Sequence, residues 1–205
     1  MSGNDGMSKK LYFYYGTMAS AKTLRLLTTA YNFEENHIRI LVMKPSLDVR
    51  DGDGIIRSRV GLERPCMMAD KEDDLFGIVK RRDEDLRAED SRLEWVLVDE
   101  CQFLTEKQVE QLAKVVDKLD ISVMCYGLRT DFQSRLFPGS RRLFELADDI
   151  EEIKSSCRCG RKTSINGRFD RHGHILVEGA QVMVGGDDLY RPLCRRCWFM
   201  MLSGN

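Results

Sequence analysis

One short segment limits the fold of this chain more than any other. Gly16-Thr17-Met18-Ala19-Ser20-Ala21-Lys22-Thr23 stands between the apolar run Leu11-Tyr12-Phe13-Tyr14-Tyr15 and the helix-like Leu24-Arg25-Leu26-Leu27. A strand, a loop of small residues ending in Lys-Thr, and then a helix make the layout of a P-loop, whose backbone N–H groups and helix N-terminus cradle nucleotide phosphates. The segment points to a bound nucleoside triphosphate. Ala21 departs from the pattern, which has Gly before the Lys so that the backbone can turn sharply and approach the ligand. An ordinary strand-to-helix turn rich in small residues therefore stays open on this segment alone.

The rest of the chain supports an α/β sheet. Strand-like runs at Leu11–Tyr15, 37–43, Trp95–Val98 and 121–126 alternate with helical patterns at 22–32, 73–82, Glu106–Leu119 and 139–146. Short apolar strands separated by helices predict a parallel sheet covered on both faces. Residues 44–64 are rich in charge and glycine and are expected to form a mobile loop near the phosphates. The charged stretch 70–92 is expected to be a solvated helical face. From about Asp149 cysteines, glycines and basic residues take over. The expected organisation is a flexible N-terminus (1–10), a P-loop domain (11–150) and a small second domain (151–205).

Two further groups carry chemistry. Val96-Leu97-Val98-Asp99-Glu100 is an apolar strand ending in two carboxylates. Behind a P-loop, an Asp in that position helps hold Mg²⁺ and the neighbouring carboxylate can orient or deprotonate a nucleophile; alone, such a pair also suits a helix cap or a solvated turn. Cys157-Arg158-Cys159-Gly160 and Cys194-Arg195-Arg196-Cys197 form two close cysteine pairs with room for a β-hairpin between them. Four thiolates close a tetrahedral shell around Zn²⁺ and leave no open coordination position, so this metal is expected to build the fold and not to catalyse. Cys66, Cys101 and Cys125 lack such spacing and are expected to be small core residues. His37, His172 and His174 are assigned no chemistry.

Composition narrows the classes. The 205 residues carry a net charge of −1, with no apolar run long enough to span a bilayer. No secretory signal is visible, so a cytoplasmic location is expected, with cysteines serving as reduced thiols or ligands. The overall charge gives no electrostatic reason to expect nucleic acid or a membrane as partner.

With the order of these motifs established, the chain from about Leu11 to Trp198 resembles the type II thymidine kinases, the bacterial branch in particular. The most specific segments are Leu97-Val98-Asp99-Glu100-Cys101-Gln102-Phe103-Leu104, Cys125-Tyr126-Gly127-Leu128-Arg129-Thr130-Asp131-Phe132 and Val184-Gly185-Gly186-Asp187-Asp188-Leu189-Tyr190. The resemblance implies a RecA-like P-loop domain with a zinc-ribbon-like lasso, and transfer of the ATP γ-phosphoryl group to the 5′-hydroxyl of thymidine and deoxyuridine. It implies that Gly16, Met18, Ala19, Ser20, Ala21, Lys22 and Thr23 bind the phosphates, with Lys22 on the β- and γ-phosphates. It further implies that Thr23, Asp99 and Asp48 serve Mg²⁺, that Arg50 approaches the phosphates, and that Glu100 takes the 5′-hydroxyl proton. Met18, Phe103, Leu128, Phe132, Phe137, Met183, Val184, Gly185 and Tyr190 would form the nucleoside pocket and its lid. Cys157, Cys159, Cys194 and Cys197 would hold zinc at the lid's base. A homotetramer, inhibited by thymidine triphosphate, is implied too. Two other classes stay open: a P-loop ATPase or regulatory nucleotide binder that uses Glu100 to position water, and a zinc-ribbon nucleic-acid binder using Arg158, Arg161, Lys162, Arg168 and Arg171.

Overall fold

The computed structural model describes residues 8–47, 54–181 and 189–203. Its centre is a six-stranded sheet built from β1 (Leu11–Tyr15), β2 (Ile40–Pro45), β5 (Met67–Ala69), β6 (Trp95–Val98), β7 (Ser122–Gly127) and β8 (Asp149–Glu152). The strands lie in the order β5-β2-β6-β7-β1-β8, and every pair is parallel. Parallel strands need crossovers, and the helices that supply them bury both faces of the sheet. Side-chain alternation sorts the two layers. Val96 and Val98 of β6, with Val123 and Cys125 of β7, meet α2 (Leu75–Ala88), α3 (Glu106–Leu119) and α4 (Pro138–Leu146). Leu97 and Tyr126 point the other way, into a cluster with Val42 and with Leu26, Leu27 and Ala30 of α1 (Lys22–Glu35).

Several sequence expectations shift by physical causes that the structure makes plain. The second strand starts at Ile40 and not at His37, because His37 is left-handed (φ 60°) and its amide closes the end of α1 on Glu34. Within 44–64, the expected loop, β2 continues to Pro45 and a hairpin forms from β3 (Ile55–Arg57) and β4 (Glu63–Pro65). Ile56 is buried against the α1 layer, which explains why so charged a segment is ordered there. The stretch 70–92 is only partly a solvated face. Leu75, Val79 and Leu86 of α2 are buried in the core, and so is Asp83, which accepts the Leu93 amide at 2.9 Å and the Arg87 guanidinium at 2.7 Å. Edge strand β8 was invisible to hydrophobic patterning because its sequence, Asp-Ile-Glu-Glu, is mostly exposed; it carries the sheet past position 150.

Beyond β8 the chain forms a separate three-stranded antiparallel sheet in place of a simple hairpin. It comprises β9 (Ile165–Phe169), β10 (Ile175–Leu176) and β11 (Tyr190–Leu193), in the order β10-β9-β11, followed by α5 (Arg195–Ser203). Its core is small: Cys157, Phe169, Ile175, Leu193 and Cys194 are the buried members among the described residues. Two of these are candidate metal ligands. This body is stitched to the phosphate loop, where the Thr17 hydroxyl lies 2.9 Å from that of Ser155 and 2.8 Å from that of Thr163. The Met18 amide also donates to Asn166 Oδ1 at 2.7 Å.

Candidate active site

The carboxyl ends of β1, β6 and β2 open on one cleft of about 530 Å³, the place where open α/β sheets bind their ligands. It is lined by Met18, Ala19, Ala21, Lys22, Thr23 and Leu24 from the loop and α1, by Asp99 and Glu100 after β6, by Leu128 after β7, and by Lys44 at the end of β2. The hairpin residues from Ile56 to Gly61 form the remaining wall.

The loop's geometry follows from its small residues. A Cβ on Gly16 would meet Ser20 Oγ at 2.3 Å and the Ile153 carbonyl at 2.6 Å, so only glycine fits that close approach. Ala19 (φ 58°) and Ala21 (φ 64°) are both left-handed. Ala21 is the N-cap of α1, with no side-chain cap and no acidic residue in the first turn. Among the described residues no capping side chain occupies the start of this helix, which suits an anionic ligand. Lys22 is buried and bonds the Thr17 carbonyl at 2.8 Å.

The acidic pair is held as tightly. The Asp99 amide bonds the Met43 carbonyl at 3.0 Å, which fixes the turn to the centre of the sheet. Burial pushes the Asp99 carboxyl up to about 7; the charge of Glu100 adds to this, while the Thr23 hydroxyl and the charge of Lys22 oppose it. Asp99 Oδ1 is buried with no hydrogen-bond partner among the described residues. An orphaned carboxylate oxygen beside a threonine hydroxyl fits a hard divalent cation, whose ligands are oxygens. Glu100 is left-handed (φ 49°), an uncommon conformation for a non-glycine residue that clusters at functional sites. Its carboxylate is gripped by the Gln102 side-chain amide, whose carbonyl oxygen accepts the Leu128 amide at 2.9 Å. Gly127 leaves room for this bridge, since a Cβ there would lie 2.6 Å from both Cys101 Sγ and Gln102 Oε1. After the turn, α3 begins with a capping box between Thr105 and Gln108.

Of the expected nucleoside-pocket residues, Met18 and Leu128 line this cleft, whereas Phe103, Phe132, Phe137 and Tyr190 are not among its lining. Phe103 and Phe137 meet edge to face with centroids 5.7 Å apart. Phe132 is buried under the Arg168 guanidinium, which stacks 4.2 Å from the ring centroid. Arg168 also donates to the carbonyls of Ala180 and Glu178. It is a buried structural cation, and not one free to track nucleic-acid phosphates. Tyr190 is half-buried opposite Arg168 in β11. Asp48, Arg50, Met183, Val184 and Gly185 lie outside the described residues.

The four sulfurs of Cys157, Cys159, Cys194 and Cys197 lie within 4.8 Å of one another. Zinc–sulfur bonds of about 2.3 Å place tetrahedral sulfurs about 3.8 Å apart, so the cluster fits the metal. The turn after the first pair depends on Gly160 (φ 81°), whose amide bonds the Cys157 carbonyl at 2.8 Å. A backbone hydrogen bond from Cys159 is the largest of the effects that hold the Cys157 thiol down at about 6, whereas the neighbouring Cys159 and Cys194 side chains help push Cys197 up to about 12. Four thiolates held this close repel one another, and a cation between them relieves that repulsion. Cys101 and Cys125 are core residues, and Cys66 is half-buried.

Sequence reasoning missed four contributors: Lys44, Gln102, Asn166 and the β3–β4 hairpin. Gln102 lay within a segment already singled out, and Lys44 ends an apolar run. Asn166 and the hairpin act only through tertiary contact.

With this geometry in view, comparison with known proteins decides the family. The family profile described as "Thymidine kinase" matches residues 9–198. The chain belongs to the thymidine kinase family. A thymidine kinase of Rhizobium meliloti is 48% identical over 189 residues, covering 92% of this chain and 95% of its own. Those of Rhizobium etli and Shewanella oneidensis are 44% and 43% identical, covering 95% and 91% of this chain and 96% and 95% of their own. The chain is thus an enzyme of this kinase family, with the P-loop sheet and cysteine-clustered second sheet described above. No helix among the described residues is long and apolar enough to cross a membrane.

Proposed function

We propose that this enzyme transfers the γ-phosphoryl group of ATP to the 5′-hydroxyl of thymidine and of deoxyuridine. The observation that carries this reading is the placement of Glu100 and Asp99 in one cleft with the phosphate loop. Phosphoryl transfer asks a protein mainly for alignment and charge stabilisation. Loop amides from Gly16 to Thr23 cradle the phosphates, and Lys22 leaves the Thr17 carbonyl to meet them. Thr23 and Asp99, with Asp48, would hold Mg²⁺, which neutralises phosphate charge when bound. Arg50 would approach the same phosphates. Glu100, fixed by Gln102, accepts the 5′-hydroxyl proton. Met18, Leu128, Phe103, Phe132 and Phe137 would surround the nucleoside, and Tyr190, Met183, Val184 and Gly185 would serve as the lid over the base. Zinc on the four cysteines keeps the 151–205 domain folded against the 11–150 domain. Assembly as a homotetramer, inhibition by thymidine triphosphate and a cytoplasmic location complete the proposal.

Label transfer from γ-labelled ATP to a panel of nucleosides tests it. Label is expected on thymidine and deoxyuridine. Hydrolysis of ATP at an unchanged rate with no labelled nucleoside would replace the reading with that of an ATPase.

The left-handed Ala21 gives a second expectation. A left-handed alanine is disfavoured by about 1–2 kcal/mol, which glycine avoids. Ala21→Gly should raise the Tm by a few degrees, about 2–4 °C per kcal/mol for a chain of this size, and leave transfer equal or faster. Thermal melting and initial rates measure both. A large loss of rate in folded protein would mean that the Ala21 methyl is required.

A further inference from the structure

Lys44 is one of the largest fully buried side chains, 1% exposed, and its Nζ is shut off from solvent. Lysine is among the residues least often buried, because removing an ammonium from water is costly. Its position is specific. It is the penultimate residue of β2, directly after Met43, whose carbonyl receives the Asp99 amide and which stands opposite Val98 in β6. Val42, two residues earlier, packs on the α1 side of the sheet, so Lys44 rises on that same side. There it lines the cleft with Lys22, Thr23, Asp99 and Glu100.

We propose that Lys44 is a catalytic residue of the transfer, a second cation that holds the γ-phosphoryl group from the floor of the cleft. The proposal rests on the phosphoryl-transfer reading above. In that step the bond between Pγ and the β–γ bridging oxygen breaks, and its electron pair stays on ADP. The new bond joins Pγ to the 5′-oxygen, whose proton passes to Glu100. Charge spreads over the three non-bridging oxygens of the moving group, and cations placed beforehand stabilise it. Lys22 is carried by the phosphate loop and bonds that loop's own carbonyl. Lys44 is anchored in a strand inside the sheet, so its backbone is fixed independently of the phosphate loop. The competing role is purely structural, a counter-charge that keeps two carboxylates tolerable at the end of β6.

The test compares Lys44→Met and Lys44→Arg with the parent in the full zinc-loaded chain. It reads saturated kcat, Tm, and calorimetric affinities for thymidine and inorganic tripolyphosphate. Lys44→Met is expected to lower kcat by roughly 10²–10³-fold, as loss of one preorganised charge contact does, with thymidine affinity within about twofold and Tm unchanged or higher. Tripolyphosphate affinity should fall about tenfold, and Lys44→Arg, which keeps the charge, should recover part of both losses. A kcat within threefold of the parent overturns the proposal. So does a lowered Tm with equal loss of both affinities, which marks a structural lysine. If Lys44→Met does not fold, Lys44→Gln takes its place under the same criteria. If the parent itself labels no nucleoside, the functional reading fails, and tripolyphosphate affinity still decides whether Lys44 faces the phosphates.

Discussion

Glu100→Gln is expected to lower thymidine-saturated kcat by roughly 10²–10⁴-fold, the range for losing a general base, while thymidine affinity stays within a few-fold of the parent. Glutamine keeps the shape of the side chain and can still hydrogen-bond the 5′-hydroxyl, yet it cannot take the proton. A second, independent mark should accompany the loss. Asp99 titrates near 7, first because it is buried and next because Glu100 repels its ionised form. Binding a cation needs the ionised carboxylate, so activity supported by Asp99 is present above that value and lost as pH falls through it. Removing the Glu100 charge lowers the Asp99 value. The acid limb of residual kcat/KM in Glu100→Gln should therefore lie at lower pH than in the parent. Stopped kinetics and pH profiles on one zinc-loaded preparation measure both marks. A variant with near-normal kcat would move the base role to another group.

The zinc expectation is comparably large. Metal analysis of reduced, active protein should give about one zinc per chain. Among the described residues the buried cluster of the second sheet has five members, which include Cys157 and Cys194 themselves. So small a core needs a staple, and a structural zinc contributes on the order of 10–16 kcal/mol in isolated zinc-binding peptides. Chelation, or Cys157→Ser, should strip hydrogen-exchange protection from Ile165–Phe169 and Arg195–Ser203 while α2 and α3 stay protected. Activity should be lost with it. Zinc-free protein with full protection and full activity would show that the cysteines are ordinary buried thiols.

What the sequence made legible was whatever local pattern dictates. β1, β6 and α3 fall where apolar periodicity puts them, because their side chains are buried on regular faces. The acidic pair and the four cysteines could be named because their chemistry needs particular residue types at short spacing. Ala21 could be flagged as the odd residue of its loop, and the structure finds it left-handed, the conformation that glycine would accept without strain. Edge strand β8 and the β3–β4 hairpin were illegible because pairing, and not burial of a regular face, defines them. Lys44 and Asn166 escaped for a related reason. A lysine in a strand gives no local sign of whether it reaches water, and an asparagine in a second sheet gives none of binding a loop almost 150 residues away.

That last contact has a thermodynamic consequence. The Met18 amide, in the loop expected to wrap the triphosphate, is held by Asn166 of the sheet whose integrity depends on the cysteine cluster. If metal occupancy stabilises the loop conformation that accepts triphosphate, equilibrium linkage requires the reverse with equal free energy. Triphosphate would then tighten the hold on zinc by the same factor by which zinc tightens the hold on triphosphate. Metal retention in this protein would become a function of nucleotide supply.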